Sequence, residues 1–126
     1  MNVLIDSHGW IEYFAEGKLA SKYAKYVEAA NISEYVTPSI VIYEVYKRIK
    51  FIRSEDAALK AIAHIIGQTS IISVDKKVAI DAAEISINKK LGMADAMIKA
   101  IAEDKNAKLI TGDVHFKGMQ DIIFID

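Results

Sequence analysis

Two carboxylates follow segments that predict buried strands, and this placement could bring metal and phosphate chemistry to one edge of a sheet. Asp6 comes directly after the apolar run 3–5, and Asp113 comes after the segment 109–112, which begins with apolar residues. Parallel strands end at the same edge of a sheet, where α/β proteins bind their ligands. We therefore expect Asp6 and Asp113 to lie close together at that edge.

Two further acids interrupt apolar segments. Glu44 lies within residues 40–46, and Asp95 lies within residues 93–98. Burying an unpaired carboxylate is costly, so each needs a partner or a function. We expect both side chains to turn toward the edge that carries Asp6 and Asp113.

Each acid also has an ordinary structural interpretation. Acids cap helices, complement the helix dipole, form turns and pair with bases one helical turn away. These interpretations apply in turn to Asp6 as a cap, Asp95 in a first helical turn, Asp113 as a turn former, and Glu44 as a partner of Lys47 or Arg48.

Four carboxylates in one cleft would repel one another, at about 4 kcal/mol for each pair separated by about 4 Å at an effective dielectric constant near 20. Divalent cations would reverse the sign of this energy. The chain has no cysteine, which excludes thiolate ligands, and hard oxygen ligands favour Mg²⁺ or Mn²⁺. Such ions activate water and stabilise phosphodiester displacement.

Length and composition predict one compact domain over residues 1–126. Hydrophobic residues make up 52% of the chain, and the formal net charge is −1. The chain therefore lacks the overall positive charge that draws proteins onto nucleic acid, and any such contact must be local. The amino terminus has no basic leader, and its apolar run is too short to span a membrane, so we expect a cytoplasmic protein.

Strand and helix patterns alternate along the chain and predict an α/β fold with a mainly parallel central sheet flanked by helices. We expect Ser7, a hydroxyl after Pro38, and Asp75 to cap helices, and Gly67 to end one. The predicted strands cover residues 3–5, 35–37, 70–74, 108–111 and 121–125. The predicted helices include residues 10–14, 23–30, 39–52, 55–66, 78–85 and 94–103.

Five segments carry a resemblance to a known family. The chain resembles the PIN domain, and more narrowly the VapC-type toxin ribonucleases, and the likeness covers essentially its whole length in order. The segments that carry the likeness are Val3–Ser7 with Trp10–Phe14 behind it, Glu44 on a mid-chain helix, Ala94–Ile98, and Leu109–Asp113 with Phe116.

The resemblance implies a metal-dependent endoribonuclease and assigns roles to individual residues. Asp6, Glu44, Asp95 and Asp113 would hold Mg²⁺ or Mn²⁺ and act in catalysis. Ser7 and Thr111 match hydroxyl positions that support the first and last acids through hydrogen bonds. The resemblance also implies an RNA substrate, a homodimer, and a cognate antitoxin that inhibits the toxin.

Histidines stand at two positions where this sequence departs from the family pattern. His8 replaces a small polar residue, and His115 replaces a further acid found beside the last aspartate in several relatives. We expect roles other than metal binding for both, since a histidine near an acid is often its hydrogen-bond partner. His64, next to Ile65 and Ile66, is expected to be a core or surface residue.

Basic residues near Glu44 are the best candidates for contacts with RNA phosphates. Lys47, Arg48 and Lys50 lie on the predicted helix of Glu44, and Arg53 follows it. The alternative is that such residues form the solvated face of an amphipathic helix. Possible flanking contacts are Lys89, Lys90, Lys99 and Lys117.

Two other functions remain open from the sequence. A non-catalytic PIN-like module would bind proteins through the same fold. A phosphoacceptor receiver domain shares the length and the parallel α/β pattern, but it needs a pair of acids after the first strand, whereas Asp6 stands alone.

Overall fold

A computed structural model describes residues 1–126, and five strands that pair only in parallel form its centre. The strands are β1 (Asn2–Ile5), β2 (Val36–Pro38), β3 (Ser70–Ile72), β4 (Ala107–Thr111) and β5 (Ile122–Phe124). The helices are α1 (Ser7–Phe14), α2 (Ala20–Glu28), α3 (Ser39–Ile52), α4 (Glu55–Gln68), α5 (Lys76–Lys89) and α6 (Met93–Asp104), with a short 3-10 turn at Val114–Phe116.

The strands form two groups, in the orders β1-β4-β5 and β2-β3. A parallel bridge between Val3 and Tyr35 joins the groups, and the Val3 N–H donates to the Glu34 carbonyl at 2.8 Å. The combined order β3-β2-β1-β4-β5 changes direction between β1 and β4. A crevice opens at the carboxyl ends of strands at such a switch point, which is the usual ligand site of parallel sheets.

The predicted fold class is confirmed, and the central strands explain why. Leu4 and Ile5 of β1 and Leu109 and Ile110 of β4 are fully buried, as expected for strands covered on both faces. A core of 26 buried residues surrounds them, and Trp10 is among its largest side chains.

Several predicted element ends differ from the structure, and two of them have a clear local cause. The helix expected to stop at Gly67 continues to Gln68, because the Thr69 N–H and hydroxyl both donate to the Ile65 carbonyl, at 3.0 and 2.9 Å, and end it there. The strand predicted to reach residue 74 ends at Ile72, where its pairing with Pro38 stops.

The helix caps differ in part from those expected. Asp75 caps α5 as predicted, with its Oδ1 accepting from the Val78 N–H at 2.8 Å. Pro38 occupies the cap position of α3 without a side-chain hydrogen bond, and Ser39 is already helical. Ser7 is likewise helical, and the cap of α1 is Asp6.

No helix of the protein combines the length and apolar character needed to cross a lipid bilayer.

Gly9 provides a test of the packing between α1, β1 and α2. A Cβ at this position would lie 2.7 Å from Ile5 Cγ2 and 2.7 Å from Tyr23 Cε1. We expect Gly9→Ala to lower the free energy of unfolding by about 1–3 kcal/mol through overpacking, measured by urea denaturation.

Gly67→Ala is the matched control. Its Cβ would meet nothing within 4 Å inside α4, so we expect about 0.5–1 kcal/mol of stabilisation from the better helix former. Equal stabilities of Gly9→Ala and the wild type would contradict the described packing.

Candidate acidic site at the switch point

The acidic site lies in the crevice where β1 and β4 end side by side. Ile5 pairs with Ile110 in parallel register, so the residues that follow the two strands emerge next to each other. Asp6 follows β1 directly, and Asp113 follows β4 after Gly112. The structure thus places both at one edge of the sheet, as expected.

Hydrogen bonds fix the carboxylate of Asp6, which is only 3% exposed. Its Oδ1 accepts from the Ser7 N–H at 2.7 Å, and its Oδ2 accepts from the Thr111 hydroxyl at 2.7 Å. The same hydroxyl oxygen accepts from the Asp113 N–H at 3.0 Å. Thr111 therefore connects the first of the four acids to the last of the four.

The pKa of Asp6 is raised above its ordinary value. Burial is the largest cause, and the negative charges of Glu44 and Asp113 add to it, whereas the hydrogen bonds from Thr111 and Ser7 act in the opposite direction. The capping role of Asp6 is therefore real, but it does not remove the effect of the neighbouring acids.

Glu44 reaches the crevice from α3. Its neighbours Val41 and Val45 face the core, which leaves Glu44 half-buried at the edge of that face. Its Oε1 atom is buried and has no hydrogen-bond partner. Burial raises the pKa of Glu44, and the charge of Asp95 raises it further against the effect of the Ser7 hydroxyl.

The ion pair that was the ordinary structural interpretation of Glu44 does not form. Neither Lys47 nor Arg48 has a carboxylate oxygen within 4.0 Å, so helix spacing alone does not neutralise Glu44. The side chain instead lies next to the other acids.

Asp95 lies in the first turn of α6, where the helix dipole favours a negative charge. Its pKa is nevertheless raised to about 6, first by burial and then by the charges of Asp113 and Asp6, with His115 lowering it. Burial, with the neighbouring acids adding to it, therefore outweighs the effect of the dipole on this pKa.

His115 lies against two of the acids, and its contact with Asp113 agrees with the expectation of a histidine that partners a nearby acid. Its Nδ1 is 2.9 Å from Asp113 Oδ1 and 3.7 Å from Asp95 Oδ2. One ligand atom from each of the three residues lies within 4.8 Å of the others, a spacing suited to a metal ion. His115 could therefore supply the ligand that replaces the further acid of relatives.

Tyr23 is a residue for which the sequence predicted only a place in a helix. Its hydroxyl lies 3.1 Å from His8 Nδ1, and His8 Nε2 is 3.9 Å from Glu12 Oε1. A Cβ at Gly112 would lie 3.1 Å from the Tyr23 hydroxyl and 2.9 Å from the Ile125 carbonyl, so this position needs glycine. The sequence did contain one signal for this contact. A phenylalanine would fill the core equally well, so a tyrosine at position 23 indicates that its hydroxyl has a partner.

The remaining histidine lies away from the acids. The ring of His64 packs edge-on against Trp10 and Phe14, at centroid distances of 6.2 and 5.4 Å. This agrees with the expectation of a role in packing.

A groove of about 1250 Å³ runs from the crevice between α1 and α3. Ser7 and Glu44 lie at its acidic end, and all four basic residues predicted near Glu44 line it, namely Lys47, Arg48, Lys50 and Arg53.

The other predicted basic residues do not line this groove. Lys99 is 9% exposed and donates to the Gln120 carbonyl at 3.2 Å, while Lys117 lies over the Phe124 ring at 5.0 Å. Lys89 and Lys90 lie at the end of α5.

The donor set of the crevice suits a hard divalent cation. Its carboxylates repel one another, and the buried Glu44 Oε1 lacks a donor. Asp6 already accepts two hydrogen bonds, yet each carboxylate oxygen has a second lone pair for a metal. Oxygen-rich sites select Mg²⁺ and Mn²⁺.

An all-parallel α/β domain with carboxylates gathered between β1 and β4 defines the class of this protein. The chain belongs to the PIN domain family, whose model matches residues 3–121. This confirms the resemblance drawn from the sequence and excludes the receiver-domain hypothesis. Comparison with curated proteins finds no match.

Several solved structures have a similar fold. They include a toxin–antitoxin complex from Klebsiella pneumoniae, with a TM-score of 0.78 and 23% identity over 97% of this chain and 96% of that chain. VapBC2 from Rickettsia felis, bound to promoter DNA, has a TM-score of 0.75 and 16% identity over 100% of both chains. VapC20 from Mycobacterium tuberculosis, a sarcin-ricin loop cleaving toxin, has a TM-score of 0.77 and 14% identity over 95% of this chain and 98% of that chain.

The raised pKa of Asp95 predicts a pH-dependent stability without divalent ions. The folded carboxyl binds its proton up to about pH 6, whereas the ordinary value is 3.8, so the folded state binds more protons between these values. The stability of the wild type relative to Asp95→Asn should therefore fall as pH rises through this window.

Urea unfolding of both proteins in chelator, from pH 4 to pH 7, measures this difference. Asp56→Asn on the surface of α4 controls for the loss of one charge. The stability difference between the wild type and Asp95→Asn could instead be constant from pH 4 to pH 7. That result would show that burial and repulsion do not raise the pKa of Asp95.

Proposed function

We propose that the protein is a metal-dependent endoribonuclease that hydrolyses RNA phosphodiester bonds, and that it is the toxin of a toxin–antitoxin pair. The observation that carries the proposal is the meeting of four acids from four separate parts of the chain, with a buried Glu44 oxygen that lacks a partner. Charges of one sign are retained in such a crevice when a cation is part of the working state.

Asp6, Glu44, Asp95 and Asp113 are proposed as the catalytic residues that hold Mg²⁺ or Mn²⁺, with His115 as an additional ligand. When bound, such ions supply an activated water and stabilise the charge that develops on the phosphate. Bound cations would offset the repulsion among the carboxylates in that state.

Ser7 and Thr111 are proposed as supporting residues. The Thr111 hydroxyl fixes Asp6 Oδ2 and the Asp113 backbone at once, so it sets the spacing between the first and last acids. The Ser7 N–H fixes the other oxygen of Asp6. Donors of this kind orient metal ligands and typically affect affinity or activity by about 10–100-fold.

The substrate and partners are proposed from the fold relatives and the groove. VapC20 is described as cleaving the sarcin-ricin loop, and this supports an RNA substrate here. The similar Klebsiella structure is a toxin–antitoxin complex, and it supports a cognate antitoxin here. Lys47, Arg48 and Lys50 are proposed to bind RNA phosphates, and a homodimer is proposed from the family resemblance.

Cleavage of a mixed RNA panel tests the catalytic assignment. We expect cleavage in Mg²⁺ or Mn²⁺ that chelator abolishes, and a loss of at least about 100-fold in Asp6→Asn and Asp113→Asn, since removing a ligand should cost no less than removing its support. The measurement is the rate at which labelled strands shorten on a denaturing gel.

Asp56→Asn is the control, because Asp56 is exposed on α4 and pairs only with Lys60 at the surface. Undiminished cleavage in Asp6→Asn, or cleavage that survives chelation, would reject the proposed ligands. Stable RNA binding without cleavage by any form would reject the nuclease without favouring the protein-binding module.

Metal binding can be tested without an activity assay. We expect Mn²⁺ to stabilise the folded wild type by about 2.7 kcal/mol when its concentration is about 100 times the dissociation constant. Asp113→Asn should lose most of this gain, because Asp113 borders both Asp95 and His115. The measurement is thermal unfolding in titrated Mn²⁺, and an equal gain in Asp113→Asn and the wild type would place the ion elsewhere.

A further inference from the structure

Phe51 is an aromatic side chain in an unusual place. It is 83% exposed on α3, and it lines the groove that begins at Ser7 and Glu44. Tyr43, on the same helix and in the same groove, is 54% exposed. Neither ring contributes to the buried core, so packing does not account for them.

Cations accompany the aromatic rings of this groove. Lys47 Nζ lies 5.5 Å from the Tyr43 ring centroid, and the Arg48 guanidinium lies 6.0 Å from that of Phe51. Lys50 Nζ lies 5.6 Å from the ring centroid of Tyr46, which also lines the groove.

These cations are clustered on one helix and are not neutralised there. Lys47, Arg48 and Lys50 lie within four residues of α3, and none has a carboxylate oxygen within 4.0 Å. The groove thus holds a concentration of unneutralised positive charge in a chain whose net charge is −1.

The groove is continuous with the acidic crevice. Glu44 belongs to both, and Phe51 follows it by seven residues, about 10.5 Å along the axis of α3 at 1.5 Å per residue. A polymer that enters the crevice can therefore extend over the rings and cations of α3.

We propose that the groove between α1 and α3 binds an unpaired RNA strand, with bases stacked on Phe51 and Tyr43 and phosphates bound by Lys47, Arg48 and Lys50. This inference rests on the proposed function, because the crevice is where the strand would be cut. Alternating aromatic and cationic side chains are the features that hold single strands without reading their sequence. A duplex keeps its base faces within its own stack, so the same groove selects against it.

Charge complementarity favours RNA over a protein segment as the occupant. An apolar peptide would use the exposed ring of Phe51 but leave the cations beside it unpaired, whereas a nucleic acid strand satisfies both. A protein segment is the outcome that the experiment must distinguish.

Fluorescence anisotropy with a short labelled single-stranded RNA of mixed sequence, in chelator so that the strand remains uncut, tests the stacking role of Phe51. We expect about tenfold weaker binding for Phe51→Ala, the lower part of the range for loss of one stacked base. Phe51→Trp should restore binding, and Phe51→Leu should not, because leucine keeps the apolar contact without a ring face. Ile87→Ala, which removes an exposed apolar side chain from α5, is the control.

The salt dependence tests the cations separately. For the variant with alanine at Lys47, Arg48 and Lys50, the slope of log affinity against log salt concentration should decrease in magnitude by about 2, at about 0.7 per phosphate contact. Alanine at Lys25, Lys60 and Lys76, which are exposed and outside the groove, removes the same charge and should change the slope far less.

The outcomes separate this inference from the proposed function. The proposed binding of an unpaired strand is rejected if Phe51→Ala binds RNA as well as the wild type does. It is also rejected if Phe51→Ala loses duplex binding and single-strand binding equally. Either result leaves the proposed nuclease activity intact when Asp6→Asn still abolishes cleavage. Wild-type RNA binding by Phe51→Leu also rejects the proposed strand binding and leaves the groove as an apolar contact surface for protein. Binding that follows the predicted pattern without metal-dependent cleavage supports the groove and rejects the nuclease.

Discussion

Repulsion among carboxylates at the carboxyl ends of β1 and β4 is the constraint on which the rest of the structure depends. Asp6 is almost fully buried, and its pKa and those of Glu44 and Asp95 are all raised by burial and by neighbouring acids. Fixed donors offset part of this energy, chiefly the Thr111 hydroxyl and the Ser7 N–H. The fold therefore holds its acids in place at the expense of stability, which is common where a site is organised for function.

The parallel sheet fixes the relative positions of the four acids. The register of Ile5 with Ile110 brings Thr111 beside Asp6, so one hydroxyl contacts both the first acid and the loop of the last. Buried strands move little, and a site built on their ends inherits that rigidity. Glu44 and Asp95 approach from helices that pack on the same sheet.

Different faces of helix α3 contact three different parts of the protein. Val41, Val45 and Ile49 face the core, Glu44 faces the crevice, and the face toward α1 carries the exposed rings and unpaired cations of the groove. A single amphipathic element thus links stability to the proposed chemistry. Changes on its groove face should leave the fold intact, because those side chains are largely exposed.

The amino-acid sequence by itself determined the fold class, the order of its elements and the candidate acids, because apolar runs set strands and carboxylates in apolar segments are costly wherever they lie. It misplaced caps such as Ser39 and the end of α4, where local hydrogen bonds of similar energy compete. It also missed the place of His115 beside Asp95 and that of Tyr23 beside His8. Only the tertiary structure decided these contacts. Some of them join residues that are far apart in the chain, and others depend on which of several neighbours a side chain turns toward. Sequence spacing carries no information on either point.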